Sequence, residues 1–144
     1  MKSNKILTTL WDYFLMTVGS DNEKLERVVL KSAKTIGYKA FFSCYALREV
    51  VFPDNLEQIG EQAFSDCDSL MEVILPDSLE TLGKEAFSYC GSITHIEISN
   101  GLKELPDAAF FLCSSLEEIV IPVNIEIIGS SVFGRNEMLK DVEM

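Results

Sequence analysis

The chain has 144 residues, 47% of them apolar and 24% charged, which suffices to bury a core and argues against intrinsic disorder. Its 12 Lys and Arg against 23 Asp and Glu leave a net charge of −11, which excludes the basic footprint of a nucleic-acid or anionic-membrane binder and favours basic or neutral partners. One histidine and four widely spaced cysteines offer little material for a zinc site or for His-dependent catalysis, and no apolar run approaches the ~18 residues of a bilayer-spanning helix.

At the N-terminus Lys2 and Lys5 precede an apolar run, the outline of a signal peptide, but Asp12 interrupts the run and no Ala-x-Ala site precedes Ala33. The segment reads better as a helix. Ile6, Leu7, Leu10, Trp11, Phe14, Leu15 and Val18 recur at helical spacing, Ser3 or Asn4 can cap the start, and Gly19 follows as a stop. Its polar face carries few cations, so a cap over one end of the domain fits better than a membrane-surface helix. The sequence therefore predicts a capping helix from about Asn4 to Val18, within an N-terminal unit of residues 1–24.

Beyond residue 25 the chain repeats with a 23-residue step. Ile36-Gly37 returns as Ile59-Gly60, Leu82-Gly83, Leu105-Pro106 and Ile128-Gly129. Four places on come Ala40, Ala63, Ala86, Ala109 and Val132, each followed by Phe: Phe41, Phe64, Phe87, Phe110 and Phe133. Cys44, Cys67, Cys90 and Cys113 keep the same phase, with Asn136 in the fifth slot. A partial unit at Leu25, Val28 and Leu30 leads in, one residue short.

Within each unit Glu49-Val50-Val51-Phe52, Glu72-Val73-Ile74-Leu75, His95-Ile96-Glu97-Ile98 and Glu118-Ile119-Val120-Ile121 read as short strands. Pro53, Pro76 and Pro122 end three of them, and Asp54-Asn55, Asp77-Ser78 and Asn100-Gly101 supply turn chemistry. The Ala-Phe segment reads as a short helical or 3₁₀ turn. One unit cannot bury its apolar residues alone, so stacked units must form internal ladders along a right-handed solenoid.

The pattern L-x-x-V-x-(I/L)-P-x-x-L-x-x-I-G-x-x-A-F-x-x-C-x-x-L resembles the BspA-like subclass of leucine-rich repeats over roughly five sixths of the chain. The resemblance implies a curved, β-rich solenoid used for adhesion or protein interaction, often at bacterial surfaces and also in some protozoa. The expectation is an α+β repeat fold: a leucine-rich repeat solenoid over residues 25–144, of about five and a half repeats, with a parallel β-sheet face and the N-terminal capping helix.

The cysteines lie one per rung, in a line rather than around a point, so buried reduced thiols are expected in place of disulfides or a metal centre. Unpaired thiols fit a reducing compartment, and a cytoplasmic location is the expectation beside the surface location that the resemblance implies. His95 should face solvent between Glu72 and Glu118 on neighbouring rungs, with no nucleophile to activate. No hydrolase, phosphate-loop or dinucleotide motif occurs, and no enzyme activity, cofactor or metal is expected.

The strand face carries the functional signal. By the period of two, the residues flanking the buried Val/Ile slot point outward. One outward column reads Arg27, Glu49, Glu72, His95, Glu118 and Asp141; the other reads Val29, Val51, Ile74, Glu97, Val120 and Glu143. An acidic stripe beside an exposed apolar one suits a protein partner with a basic surface, held by Glu49, Val51, Glu72, Ile74, His95, Glu97, Glu118 and Val120. The alternative is that the β-branched residues serve strand propensity and shield one another. Neither nucleic acid nor membrane insertion is expected. The strand at Lys140–Met144 offers an edge for pairing with a second copy, so a self-assembling structural or adhesion unit is the second functional class. The strand face lacks the aromatic residues that would stack on sugar rings.

Overall fold

A computed structural model of the chain describes residues 23–144 and the strand Lys5–Thr8. The architecture is a parallel β-solenoid with two strand sets. The first comprises β1 (Lys5–Thr8), β2 (Leu25–Val29), β4 (Glu49–Val51), β6 (Glu72–Ile74), β8 (His95–Glu97), β10 (Glu118–Val120) and β12 (Asp141–Glu143). The second comprises two-residue strands, β3 (Thr35–Ile36), β5 (Gln58–Ile59), β7 (Thr81–Leu82), β9 (Glu104–Leu105) and β11 (Ile127–Ile128). Pairing is parallel, with β1-β2-β4, β6-β8 and β10-β12 in the first set and β3-β5-β7 and β9-β11 in the second.

The second ladder breaks where the repeat motif changes. Gly60, Gly83 and Gly129 each donate an amide hydrogen to the rung before, at 2.7, 2.8 and 2.7 Å from Ile36 O, Ile59 O and Leu105 O. Pro106 occupies the same slot and has no N–H to give, so β7 and β9 do not join. The glycines there answer a close approach rather than a special dihedral. None has a positive φ, but a Cβ at Gly60 would lie 2.7 Å from the Gly37 carbonyl carbon.

Two expectations need correction. Among the described residues there is no helix, so the α+β class does not hold. The front of the expected capping helix is strand β1, whose Ile6, Leu7 and Thr8 pair with Arg27, Val28 and Val29. That pairing satisfies backbone groups along the edge of β2, as a helix at this place would not. The remainder of the expected helix lies outside the described residues. The Ala-Phe segments are also not helical turns. Each holds two left-handed residues, as at Lys39 (φ 53°) and Ser43 (φ 55°), or Ala108 (53°) and Leu112 (57°). These reverse the chain every few residues and aim its amides along the stack. Phe41, Phe64, Phe87 and Phe110 N–H thereby donate to the carbonyls of Ala63, Ala86, Ala109 and Val132 at 2.7, 2.8, 2.9 and 3.0 Å.

The core runs the length of the solenoid as ladders of like residues. Phe41, Phe64, Phe87 and Phe110 are fully buried. Their rings, with Phe133, stack at centroid separations of 5.1, 5.2, 5.7 and 5.8 Å. Phe52 meets Phe64 and Phe87 edge-on at 5.7 and 6.4 Å. Beside them the four buried cysteines form a thiol ladder as expected. Cys67, Cys90 and Cys113 Sγ donate to the carbonyls of Phe41, Phe64 and Phe87 at 3.2, 3.1 and 3.4 Å. Asn136, in the fifth slot, accepts instead, from Cys113 N–H at 2.8 Å. Burial pushes the Cys67 and Cys90 thiols well above the usual thiol range and Cys113 up to about 12.

On the surface the ion pairs also run from rung to rung. Lys34 meets Glu57 at 2.8 Å and Lys84 meets Asp107 at 3.0 Å. All four side chains are well exposed, so these pairs add little stability.

Truncating Phe87 to alanine should cost about 3–5 kcal/mol, read as a lower urea midpoint, because neighbouring rungs cannot refill an internal ring. Phe133→Ala, at the half-buried end of the stack, should cost less. The thiols predict a pH dependence of defined sign. Burial makes them weaker acids than a free thiol, with pKa values raised above 9.0, so the folded state retains protons that the unfolded state loses. The stability they contribute is complete below pH ~9 and declines as pH rises toward ~12. A Cys67→Ala, Cys90→Ala, Cys113→Ala variant should show a flatter decline in urea midpoint over that interval than the parent protein.

Candidate functional site

The first strand set forms an exposed face because β6, β8 and β10 each bury only their middle residue. Val73, Ile96 and Ile119 are buried, and both flanking residues of β6, β8 and β10 are exposed. In β4, Val50 is only partly covered and Val51 is exposed.

Parallel register then turns the flanking residues into columns. Arg27 stands opposite Glu49 and Val29 opposite Val51. Glu72 faces His95 and Ile74 faces Glu97. Glu118 faces Asp141 and Val120 faces Glu143. The eight residues named from the sequence thus share one surface. Val51, Ile74 and Val120 are 38, 47 and 60% exposed, so they do not fully shield one another. Glu97 stands between Ile74 and Val120 and divides the apolar column into two spots.

Charges on the face are partly paired. Arg27 Nε donates to Glu49 Oε2 at 2.6 Å. His95 Nε2 lies 3.1 Å from Glu97 Oε1, its neighbour two residues along, rather than bonding across to Glu72 or Glu118. Both side chains are more than half exposed, so His95 is a polar surface group in contact with a carboxylate. Glu72 and Glu118 make no ion pair among the described residues and keep the centre of the face acidic.

The alternation rule missed one column. Met71, placed just before β6, is 54% exposed although the period of two would turn it inward with Val73. The strand begins at Glu72, so the alternation does not reach Met71. With Arg48, Glu49, Glu72 and Thr94 it lines a shallow groove of about 450 Å³ along the edge of the acidic column. A sequence signal exists in retrospect: an unbranched, flexible apolar side chain where other rungs carry Arg48, Thr94 and Glu117. Among the described residues, no group of three or more His, Cys, Asp or Glu side chains is placed to hold a metal ion.

Comparison with known structures places this geometry among bacterial leucine-rich repeat proteins. The chain superposes on a leucine-rich repeat protein from Bacteroides ovatus with a TM-score of 0.65 and 24% identity, covering 85% of this chain and 38% of that one. The T. pallidum leucine-rich repeat protein matches with a TM-score of 0.64 and 25% identity, over 90% of this chain and 71% of that one. A leucine-rich cell surface protein from Faecalibacterium prausnitzii matches with a TM-score of 0.65 and 19% identity, over 91% and 46% of the respective chains. The chain thus spans under half the length of the first and third of these. No curated protein matches it. Residues 34–144 match the BspA type leucine-rich repeat region in six copies, and the chain belongs to that family.

Proposed function

We propose that the chain is a non-enzymatic binding module that holds a protein partner across its strand face. The observation that carries this reading is the exposed apolar spots at Val51, Ile74 and Val120 set directly against the acidic column Glu49, Glu72 and Glu118. Desolvating the apolar spots supplies affinity, while the carboxylates, with Glu97 and His95, steer and orient a basic surface. The chain's net charge of −11 acts in the same sense at longer range. The groove at Met71 gives the partner a flexible apolar contact beside that column. The family is one of interaction and adhesion modules, which fits a partner held on a broad face better than a substrate held in a pocket.

The Val51→Lys, Ile74→Lys, Val120→Lys variant should keep the thermal transition of the parent, since all three side chains are exposed. It should also lose the partner in parallel pull-downs from lysate and surface extract of the source cells. The retained partner should dissociate as ionic strength rises past the point where the Debye length falls below ~8 Å. Full retention by the triple variant would remove the strand face as the site.

A further inference from the structure

We propose a second binding site, a lysine-side-chain pocket on the turn arcs, separate from the strand face and independent of the reading given to it. Glu85, Ser88, Tyr89, Ala108, Phe111 and Ser131 line a cavity of about 190 Å³ there, of a size for an alkyl stem with its ammonium head.

The repeat supplies its own precedent for the occupant. In the first arc Lys39 lays its ammonium 4.6 Å from the centre of the Phe42 ring and 5.3 Å from that of Tyr38. Three rungs on, Phe111 occupies the slot of Phe42, and Ala108 occupies the slot of Lys39. The backbone is the same at both places. Lys39 and Ala108 each have φ 53°, and the turn bond runs from Phe42 N to Lys39 O at 3.2 Å and from Phe111 N to Ala108 O at 3.1 Å. Ala108 therefore leaves a cation-sized space beside an aromatic ring where the first arc fills it with its own lysine.

Two further features suit a cation. Tyr89, 46% exposed, stands against Phe111 with ring centroids 5.7 Å apart at 68°, and both line the cavity, where the face of an aromatic ring attracts an ammonium. Glu85, one rung below Ala108, brings a carboxylate. Gln62 Nε2 donates to its Oε2 at 2.7 Å, which orients the group and leaves Oε1 to accept from an ammonium. A carboxylate beside aromatic rings discriminates an ammonium from a neutral chain of the same shape, and the chain's negative charge favours a lysine-bearing protein surface as its source.

The test is an NMR titration of the labelled 144-residue protein with Nα-acetyl-lysine methylamide and with its neutral isostere, Nα-acetyl-norleucine methylamide. Saturable shifts centred on Tyr89, Ala108, Phe111 and Ser131, with a Kd of order millimolar for the lysine ligand alone, are expected. Ala108→Lys should place a tethered ammonium on Phe111, as Lys39 does on Phe42, and block the site. Glu85→Gln should weaken binding by about tenfold, the loss of one close charge partner. Methylammonium, lacking the stem, should bind more weakly than the lysine ligand. Equal responses to the two amides, absence of a saturable shift, or unchanged affinity in a folded Ala108→Lys or Glu85→Gln variant would overturn the site. Methylammonium binding as tightly as the lysine ligand would overturn its assignment to a protein side chain.

Discussion

Every rung of this solenoid depends on its neighbours through one constraint: shared register. A unit of 23 residues is too small to enclose Phe, Leu, Ile and Cys side chains by itself, so its apolar groups are covered by those of the neighbouring rungs. Because strand pairing is parallel and in register, an extra residue within a strand would turn its inward side chains outward, whereas the lead-in unit, one residue shorter between Val28 and Val50, keeps the pairing and takes up the difference outside the strands. The stacked phenylalanines make that constraint tight. Rings 5.1–5.8 Å apart and within 12° of parallel leave no room for a displaced rung. The hydrogen bonds of the arcs act in the same direction, since each left-handed pair of residues aims its amides at the next rung rather than at its own.

The same constraint creates the surface. What is true of the buried slots holds for the exposed ones: a residue type repeated every 23 positions becomes a column one strand spacing apart. Acidic groups at Glu49, Glu72 and Glu118 therefore add into a stripe, and Val51, Ile74 and Val120 add into apolar spots, without any loop being shaped around a ligand. Departures from the pattern carry as much information as the pattern. Glu97 divides the apolar column, Pro106 opens the second ladder, and Ala108 vacates a slot that Lys39 fills.

How much of this was legible depended on whether a feature repeats. The slots of Phe41, Cys44, Val73 and Ile96 could be assigned from spacing alone because period and phase determine burial in a stack. The outward columns followed from the same arithmetic. Strand β1 was not legible. Leu7 lies 21 residues before Val28, off the 23-residue step, and the apolar run that follows has helical periodicity, so the local pattern outweighed a four-residue strand whose partner is the edge of β2. The left-handed arcs were also hidden. Lys39, Gln62, Glu85, Ala108 and Ser131 share a backbone conformation that glycine would announce, yet none is glycine. Their strain is offset by the rung-to-rung hydrogen bonds it permits, which no single unit displays.

That last point bears on where new chemistry can arise in such a fold. Side chains in the strand columns are confined by neighbours 4.8 Å or so away on both sides, and a change there alters a stripe. The arcs are different, because the left-handed position of Lys39 and the slot three places on hold different residue types from rung to rung. Lys39 over Phe42, Gln62 bonded to Glu85, and Ala108 beside Phe111 are three outcomes at one backbone position. The strand face repeats, and so suits an extended partner surface. The arcs vary rung by rung and can hold a single side chain, so one solenoid can engage a partner through avidity on one face and through a specific anchor on another.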